Sequence, residues 1–162
     1  MANITWRAAN TLNARKGECV LKLNGKSYNI LHLKNIEATL DYKKAEVNVL
    51  NKTMTGHKLV SESGKFKGSI FMVESEMRAA AQEFKDSGSA PIYEIQIANE
   101  DPSVPDIGRQ EVILKDCMSD SLVLAKLDAD GEQIEEDIEG TFDDWEMPEG
   151  FNLLDGMEIT NG

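Results

Sequence analysis

The sequence is poor in the residues that make covalent staples, metal sites and stacking surfaces for ligands. It has two cysteines, two histidines and four prolines, and aromatic residues make up 6% of the chain. Cys19 and Cys117 lie far apart and match no zinc or redox spacing, so we expect two separate buried thiols rather than a disulfide. Such thiols indicate a reducing compartment, whereas a disulfide would imply secretion.

Long hydrophobic runs are missing as well. The N-terminus, MANITWRAAN, has no apolar core like that of a signal peptide. No run approaches the roughly 18 apolar residues that a membrane helix needs. The sequence therefore predicts a soluble protein, made in the cytoplasm, without membrane insertion.

Positive charge is scarce in the second part of the chain. Residues 1–68 hold 12 Lys and Arg against 5 Asp and Glu, residues 69–162 hold 5 against 24, and the net charge is −12. This balance argues against specific nucleic-acid binding, which requires a surplus of basic residues. Head-to-tail stacking of copies would bring the opposite charges together. Interleaving of the two parts in one fold would instead average the asymmetry, and composition leaves both open.

The chain has the size of one ordinary domain. Residues 1–16 show neither a strand nor a helix period and are interpreted as an N-terminal arm. A β domain is predicted over residues 17–149, and residues 150–162 form a C-terminal tail.

Alternating apolar and polar residues predict a mainly β fold. The first strong signal is a hairpin at Asn24-Gly25, and a second strand pair is predicted on either side of the stretch NKTMTGHK, residues 51–58, as a long hairpin tip or extended loop. Residues 74–87 switch to a helical period, with Met77, Ala80, Ala81 and Phe84 as the core stripe and Gly88 as the stop.

The remaining segments predict further strands over residues 90–100 and 109–147, including the alternating stretch 121–128 between turns at Ser119-Asp120 and 129–131. With about eight strands and one flanking α-helix (about 74–87), the fold class is a β-barrel or sandwich.

None of the chemical motifs holds. TMTGHKLV lacks the second glycine and the following helix of a phosphate-binding loop. KLDADGEQIEED places Lys126 where a calcium loop needs an oxygen ligand, so a tight turn is the better interpretation. Neither His32 nor His57 stands in a metal-binding or catalytic context. The sequence therefore predicts an interaction protein, not an enzyme, with no cofactor and no metal.

Three stretches carry a resemblance to a known family: NTLNARKGECVLKLNG, KAEVNVLNKTMTGHK and TFDDWEMPE. Together they resemble the tail tube proteins of phages and phage-tail-like particles of the PBSX type, over about residues 10–149. The resemblance implies a β-barrel-like subunit whose copies form hexameric rings that stack into a hollow tube. It further implies a sheath protein outside, a baseplate at one end and a terminator at the other.

The resemblance also implies where copies touch. The predicted inter-subunit loop consists of Lys52, Thr53, Met54, Thr55, Gly56, His57 and Lys58, with Gly56 allowing the turn. A second predicted contact is the acidic-aromatic segment of Phe142, Asp143, Asp144, Trp145, Glu146 and Pro148, unless its rings simply cap the core edge. Excess acid could line the bore through which DNA or effectors pass. Such a protein is made in the host bacterial cytoplasm and ends in the virion tail or the released particle.

A monomeric β-sandwich module that binds carbohydrate or another ligand is the alternative from a different class. Such modules usually present exposed aromatic residues on a sheet face. Here aromatic residues are few and scattered along the chain.

Overall fold

The fold is mainly β, as predicted. The computed structural model describes residues 12, 16–23, 25–29, 33–71, 75–131 and 134–153. These residues contain the helix α1 (Glu76–Ser87) and eight strands: β1 (Gly17–Leu23), β2 (Lys26–Asn29), β3 (Leu33–Val47), β4 (Gly56–Phe71), β5 (Tyr93–Glu100), β6 (Arg109–Ser119), β7 (Glu135–Phe142) and β8 (Asp144–Glu149).

The strands follow the hydrogen-bonding order β2-β1-β5-β6-β7-β4-β3, with β8 paired to β6. The described strands do not form a closed sheet. The chain divides into two compact units. Unit 1 contains β1, β2, β5, the first part of β6 and β8 from Trp145 on. Unit 2 contains β3, β4, α1, the end of β6, β7 and Asp144.

The core of unit 1 lies between β1 and β5. These strands pair antiparallel with Leu21 opposite Ile95 and Leu23 opposite Tyr93, and all four side chains are buried. The predicted hairpin at residues 24–25 is confirmed. β2 folds back on β1, and Gly25 has the left-handed φ of 76° that such a two-residue turn requires.

One guanidinium links four strands of unit 1. Arg109 at the start of β6 lies within 3.0–4.0 Å of Glu18 on β1, Glu100 on β5, Glu111 on β6 and Glu149 on β8. Because all these groups are partly exposed to water, each pair contributes little on its own. The network fixes the ends of the strands rather than a core.

The core of unit 2 is built from reciprocal aromatic and glycine pairs. On neighbouring strands Phe66 stands opposite Gly140, and Gly64 stands opposite Phe142. Both rings are buried. Each ring lies over the glycine on the partner strand, which has no side chain there.

Helix α1 begins two residues later than predicted and ends as predicted. Gly88 adopts a left-handed φ of 79° and donates its N–H to the Phe84 carbonyl, which is the usual glycine stop. Ala80 is buried, but Phe84 is 52% exposed, so its predicted place in the core is wrong. The stripe is narrower because Arg78 turns inward and pairs with the buried Glu136 of β7.

The alternating stretch 121–128 is not a strand in the described structure, contrary to prediction. Side-chain hydrogen bonds, rather than pairing with a neighbouring strand, fix its position. The Arg78 Nε donates to the Val123 carbonyl at 3.0 Å, and the Lys126 Nζ donates to the Glu135 carbonyl at 3.0 Å. To form a strand, a segment also needs a neighbouring strand whose backbone N–H and C=O groups are available for pairing. The alternation of apolar and polar residues does not provide such a neighbour.

The remaining predictions divide by location. Cys19 and Cys117 are both buried and reduced, as expected. Burial raises the pKa of the Cys19 thiol to about 11. The predicted N-terminal arm, except Leu12 and Lys16, and the predicted tail from residue 154 lie outside the described residues.

Candidate assembly surfaces

A two-stranded ribbon leaves the sheet of unit 2. β4 pairs with β7 only from Gly64 to Phe71, whereas its pairing with β3 continues to Gly56 opposite Val47. We call residues Asp41–Ser63 the hairpin extension. With seven residues of β3 at about 3.4 Å each, it is roughly 24 Å long. It resembles a projecting arm because only its own two strands pair with each other in the described structure.

The hairpin extension exposes large apolar side chains. Leu50 is 89% exposed and Met54 75% exposed at its tip. The other exposed apolar residues along it are Tyr42, Val47, Val49, Leu59 and Val60. A monomeric soluble protein rarely gathers this many on one segment, and such patches mark interaction sites.

The predicted inter-subunit loop lies at the end of this hairpin extension. Residues 52–55 belong to the connection, while Gly56, His57 and Lys58 are the first residues of β4 and pair with β3. The prediction that Gly56 shapes the turn is wrong. The left-handed residue is Asn51, with φ of 64°, and asparagine tolerates that conformation better than most residues.

A bulge lies halfway along the hairpin extension. Lys43 pairs with Ser61 and Lys44 with Leu59, which leaves Val60 as an extra residue on β4. Bulges bend and twist a ribbon and hinder edge-to-edge aggregation. At the base, the Lys65 Nζ lies 2.8 Å from the Asp41 Oδ2. This contact raises the pKa of Lys65, first through the hydrogen bond and then through the charge of Asp41.

The hairpin extension is basic towards its tip. Between residues 43 and 58 it carries four lysines and one glutamate, and all five are exposed: Lys43, Lys44, Lys52, Lys58 and Glu46. An apolar surface with basic residues beside it fits a partner surface that is apolar and acidic.

The sheet of unit 2 has one polar face. Directly opposed residues share a face of a sheet, and the register places on one face Asn35, Glu37 and Thr39 of β3, Lys65, Lys67 and Ser69 of β4, and Asp137, Glu139 and Thr141 of β7. The Ser69 Oγ donates to the Asp137 Oδ1 at 2.7 Å. A shallow groove on this polar face is lined by Glu37, Asp137 and Glu139 against a single lysine, Lys67.

The acidic-aromatic segment is divided between the two units. In unit 2, Phe142 is buried against Gly64, and Asp143 and Asp144 are exposed. In unit 1, Trp145 is 39% exposed and Glu146 lies 3.3 Å from the Lys115 Nζ. Pro148 is exposed on β8. Phe142 is therefore a core residue, and the contact predicted for the segment stays a prediction.

The described residues contain no group of three or more His, Cys, Asp or Glu side chains that could hold a metal ion. His57 pairs with Glu46 across the hairpin extension and is exposed. Among the described helices, none is long and apolar enough to cross a membrane.

Sequence reasoning located the tip of the hairpin extension but missed its exposed flanks. Tyr42, Leu59 and Val60 lie in strands, where alternation predicts core residues. The lengths of the two strands are the feature that distinguishes this hairpin from an ordinary one. β3 and β4 have 15 and 16 residues, whereas an ordinary strand has about 5–6.

Comparison with known proteins agrees with this fold. A family model described as phage tail tube protein matches residues 4–149. The chain is 33% identical over 143 residues to the phage-like element PBSX protein XkdM of Bacillus subtilis strain 168, covering 88% of this chain and 94% of that protein.

Solved structures agree as well. A Bacillus subtilis protein solved by the Northeast Structural Genomics Consortium is 31% identical, with a TM-score of 0.51, covering 88% of this chain and 99% of that one. A chain of the sheath–tube complex of PVC, an extracellular contractile injection system, shares the fold with a TM-score of 0.63 at 9% identity, covering 86% of this chain and 93% of that one. The resemblance seen in the sequence is confirmed: the chain belongs to the phage tail tube protein family.

Proposed function

We propose that this chain is the subunit of a tail tube, assembling with copies of itself into six-membered rings that stack into a hollow tube. Membership of the family gives it a structural, non-enzymatic role. The hexameric ring, the stacking and the passage of DNA or effectors through the bore are our proposal for this chain.

The observation that carries the proposal is the hairpin extension. Its side chains stabilise nothing in its own core, because residues 41–63 are exposed in the single chain apart from the half-buried Gly56. Complete burial of a leucine, valine or methionine side chain contributes roughly 1.5–3 kcal/mol. Burial of Leu50, Met54, Leu59 and Val60 against a neighbouring copy would therefore contribute much of the free energy of assembly.

The polar face of unit 2 is proposed to line the bore. A tube wall needs one surface that stays in water after assembly, and the polar face carries no large apolar side chain at the positions named above. Its groove has three carboxylates and one lysine. Such a surface repels phosphate groups, so DNA could pass without adhering.

Other tail components complete the proposal. A contractile sheath would surround the tube, with a baseplate at one end and a terminator at the other. The structural neighbours include chains from a sheath–tube complex and from a baseplate, which supports this arrangement. The chain would be made in the host cytoplasm and reach the virion tail or a released tail-like particle. No observation favours the monomeric binding module.

Electron microscopy of the purified chain tests the proposal. Negative staining across a concentration series, with sizing of the same samples, should reveal rings or hollow tubes. Replacing Leu59 and Val60 by serine should leave monomers with unchanged circular dichroism, because both side chains are at least 58% exposed. Phe84→Ser, on an exposed face of α1, is the matched control and should assemble normally.

Two results would contradict the proposal. One is a chain that stays monomeric at every concentration even when the baseplate of its own particle is added. The other is a Leu59→Ser/Val60→Ser variant that forms the same tubes as the wild type, since that would leave the hairpin extension without a part in assembly.

A further inference from the structure

A second exposed apolar segment lies in unit 2, between β6 and β7. We call residues Asp120–Asp130 the acidic segment. Leu127 is 97% exposed and Leu124 is 72% exposed. Asp120, Asp128 and Asp130 flank these leucines and are exposed too. The one cation of the acidic segment, Lys126, turns its ammonium to the Glu135 carbonyl.

The acidic segment is anchored although it forms no strand. The Asp120 N–H donates to the Glu139 carbonyl at 2.8 Å, and Arg78 holds the Val123 carbonyl from the helix. At the other end Asp128 accepts the Asp130 N–H at 3.0 Å and closes a turn. A partner that binds here meets an ordered surface, so it pays little of the entropic cost of ordering.

The tip of the hairpin extension is the complement of this surface. It offers Leu50 and Met54 as apolar groups beside Lys52 and Lys58. The acidic segment offers leucines beside aspartates. Since both surfaces are exposed in the single chain, neither covers the other within one copy.

We infer that the acidic segment of one copy receives the tip of the hairpin extension of a second copy. This inference rests on the proposed function and names the partner surface of the hairpin extension. The contact joins two different surfaces, so every copy keeps one hairpin extension and one acidic segment for its neighbours. Such a heterologous contact repeats from copy to copy into a closed ring or an open filament.

Thiol cross-linking tests the contact directly. A Met54→Cys chain is mixed with a Leu127→Cys chain and treated with a short bismaleimide. The two native thiols, Cys19 and Cys117, are buried and react slowly. Dimers of unlike chains should form at least tenfold faster than from Met54→Cys mixed with Phe84→Cys, which presents an exposed thiol on α1.

Charge reversal tests the complementarity. Asp120→Lys/Asp130→Lys in one chain, or Lys52→Glu/Lys58→Glu in the other, should each lower the yield of this cross-link at least fivefold. Combining the two reversed chains should restore it. Asp86→Lys on α1 is the matched control and should change the yield less than twofold. Restoration by the second reversal separates a direct contact from a folding defect.

The outcomes for the contact and for the tube are distinguishable. Wild-type chains that form tubes while the cross-link stays at the control level overturn this inference and leave the proposed function standing. A specific cross-link without rings or tubes, even when the baseplate of its own particle is added, supports the contact and overturns the tube. Failure of the combined reversed chains to restore the cross-link also overturns the inference.

Discussion

Replacing Gly140 by alanine probes the close packing in unit 2. A Cβ at Gly140 would meet the carbonyl oxygen of Met118 and lie 2.7 Å from the Cζ of Phe66. At Gly64, the corresponding position across the same ladder, the three nearest atoms all belong to the ring of Phe142. The two substitutions add the same methyl group, but only one presses on backbone.

The expected loss of stability depends on whether the atoms nearest to the added methyl group can move. The Phe142 ring can rotate away, whereas the Met118 carbonyl belongs to the strand that pairs with β7 opposite Thr141. Overpacking a core typically costs about 1–3 kcal/mol. We therefore expect Gly140→Ala to lower the free energy of unfolding by about 3 kcal/mol and Gly64→Ala by about 1 kcal/mol.

Urea unfolding followed by circular dichroism measures both values. Second-site changes sharpen the test. Phe142→Leu should remove more than half of the additional cost of Gly64→Ala, while Phe66→Leu should leave most of the cost of Gly140→Ala because the backbone contact remains. A Gly140→Ala chain within about 0.5 kcal/mol of the wild type, the usual range of harmless surface changes, would refute the reasoning.

Two further predictions concern unit 1 and the helix. Burial raises the pKa of Cys19 from 9.0 to about 11, so the buried thiol contributes stability that is fully present below pH 9 and lost as the pH rises towards 11, by up to about 3 kcal/mol. Cys19→Ala should flatten the fall in unfolding free energy over that range in alkaline urea titrations; an unchanged slope would contradict this. Gly88→Ala should cost about 1 kcal/mol because φ is 79°, and Gly88→Asn less; equal costs in thermal melts would argue against it.

Local signals in the sequence were sufficient for several elements. The hairpin at residues 24–25 and the end of α1 at Gly88 each depend on one residue with a left-handed backbone conformation. A glycine in the sequence indicates such a position, because glycine adopts this conformation readily. The alternation of β5 likewise identifies Tyr93 and Ile95 as buried, although it does not explain why Ile97 is half-buried and Ala98 is buried. These features require no knowledge of distant parts of the chain.

Features that depend on distant residues could not be predicted. The stretch 121–128 has the alternation of a strand. Whether such a stretch pairs into a sheet depends on a strand from a distant part of the sequence, which alternation does not reveal. Phe84 has the spacing of a core residue, yet Arg78 reaches the buried Glu136 and shifts the inward face of the helix. The alternation of a strand and the period of a helix indicate which residues lie on the same face of that element. They do not indicate which other parts of the chain pack against that face.

The tip of the hairpin extension was predicted in position, but the length of the hairpin was not, and the role of the tip as an inter-subunit contact stays a prediction. Basic and polar residues around position 54 indicated the tip. The turn was predicted at Gly56, whereas the residue with the left-handed backbone is Asn51. The exposure of Leu59 and Val60 could not be foreseen. A sequence pattern cannot distinguish an apolar side chain that faces its own core from one that faces another molecule.

The division of β4 at Gly64 has a consequence for how the gene can change. Residues from Gly64 to Phe71 contact the neighbouring strands of their own chain, so selection acts on them through the amount of folded protein. Residues from Gly56 to Ser63 contact no such strand beyond β3 in the described structure, so under the proposed function selection acts on them through the yield of finished particles. Because both sides of the proposed contact are encoded by one gene, a change and its compensation are inherited together.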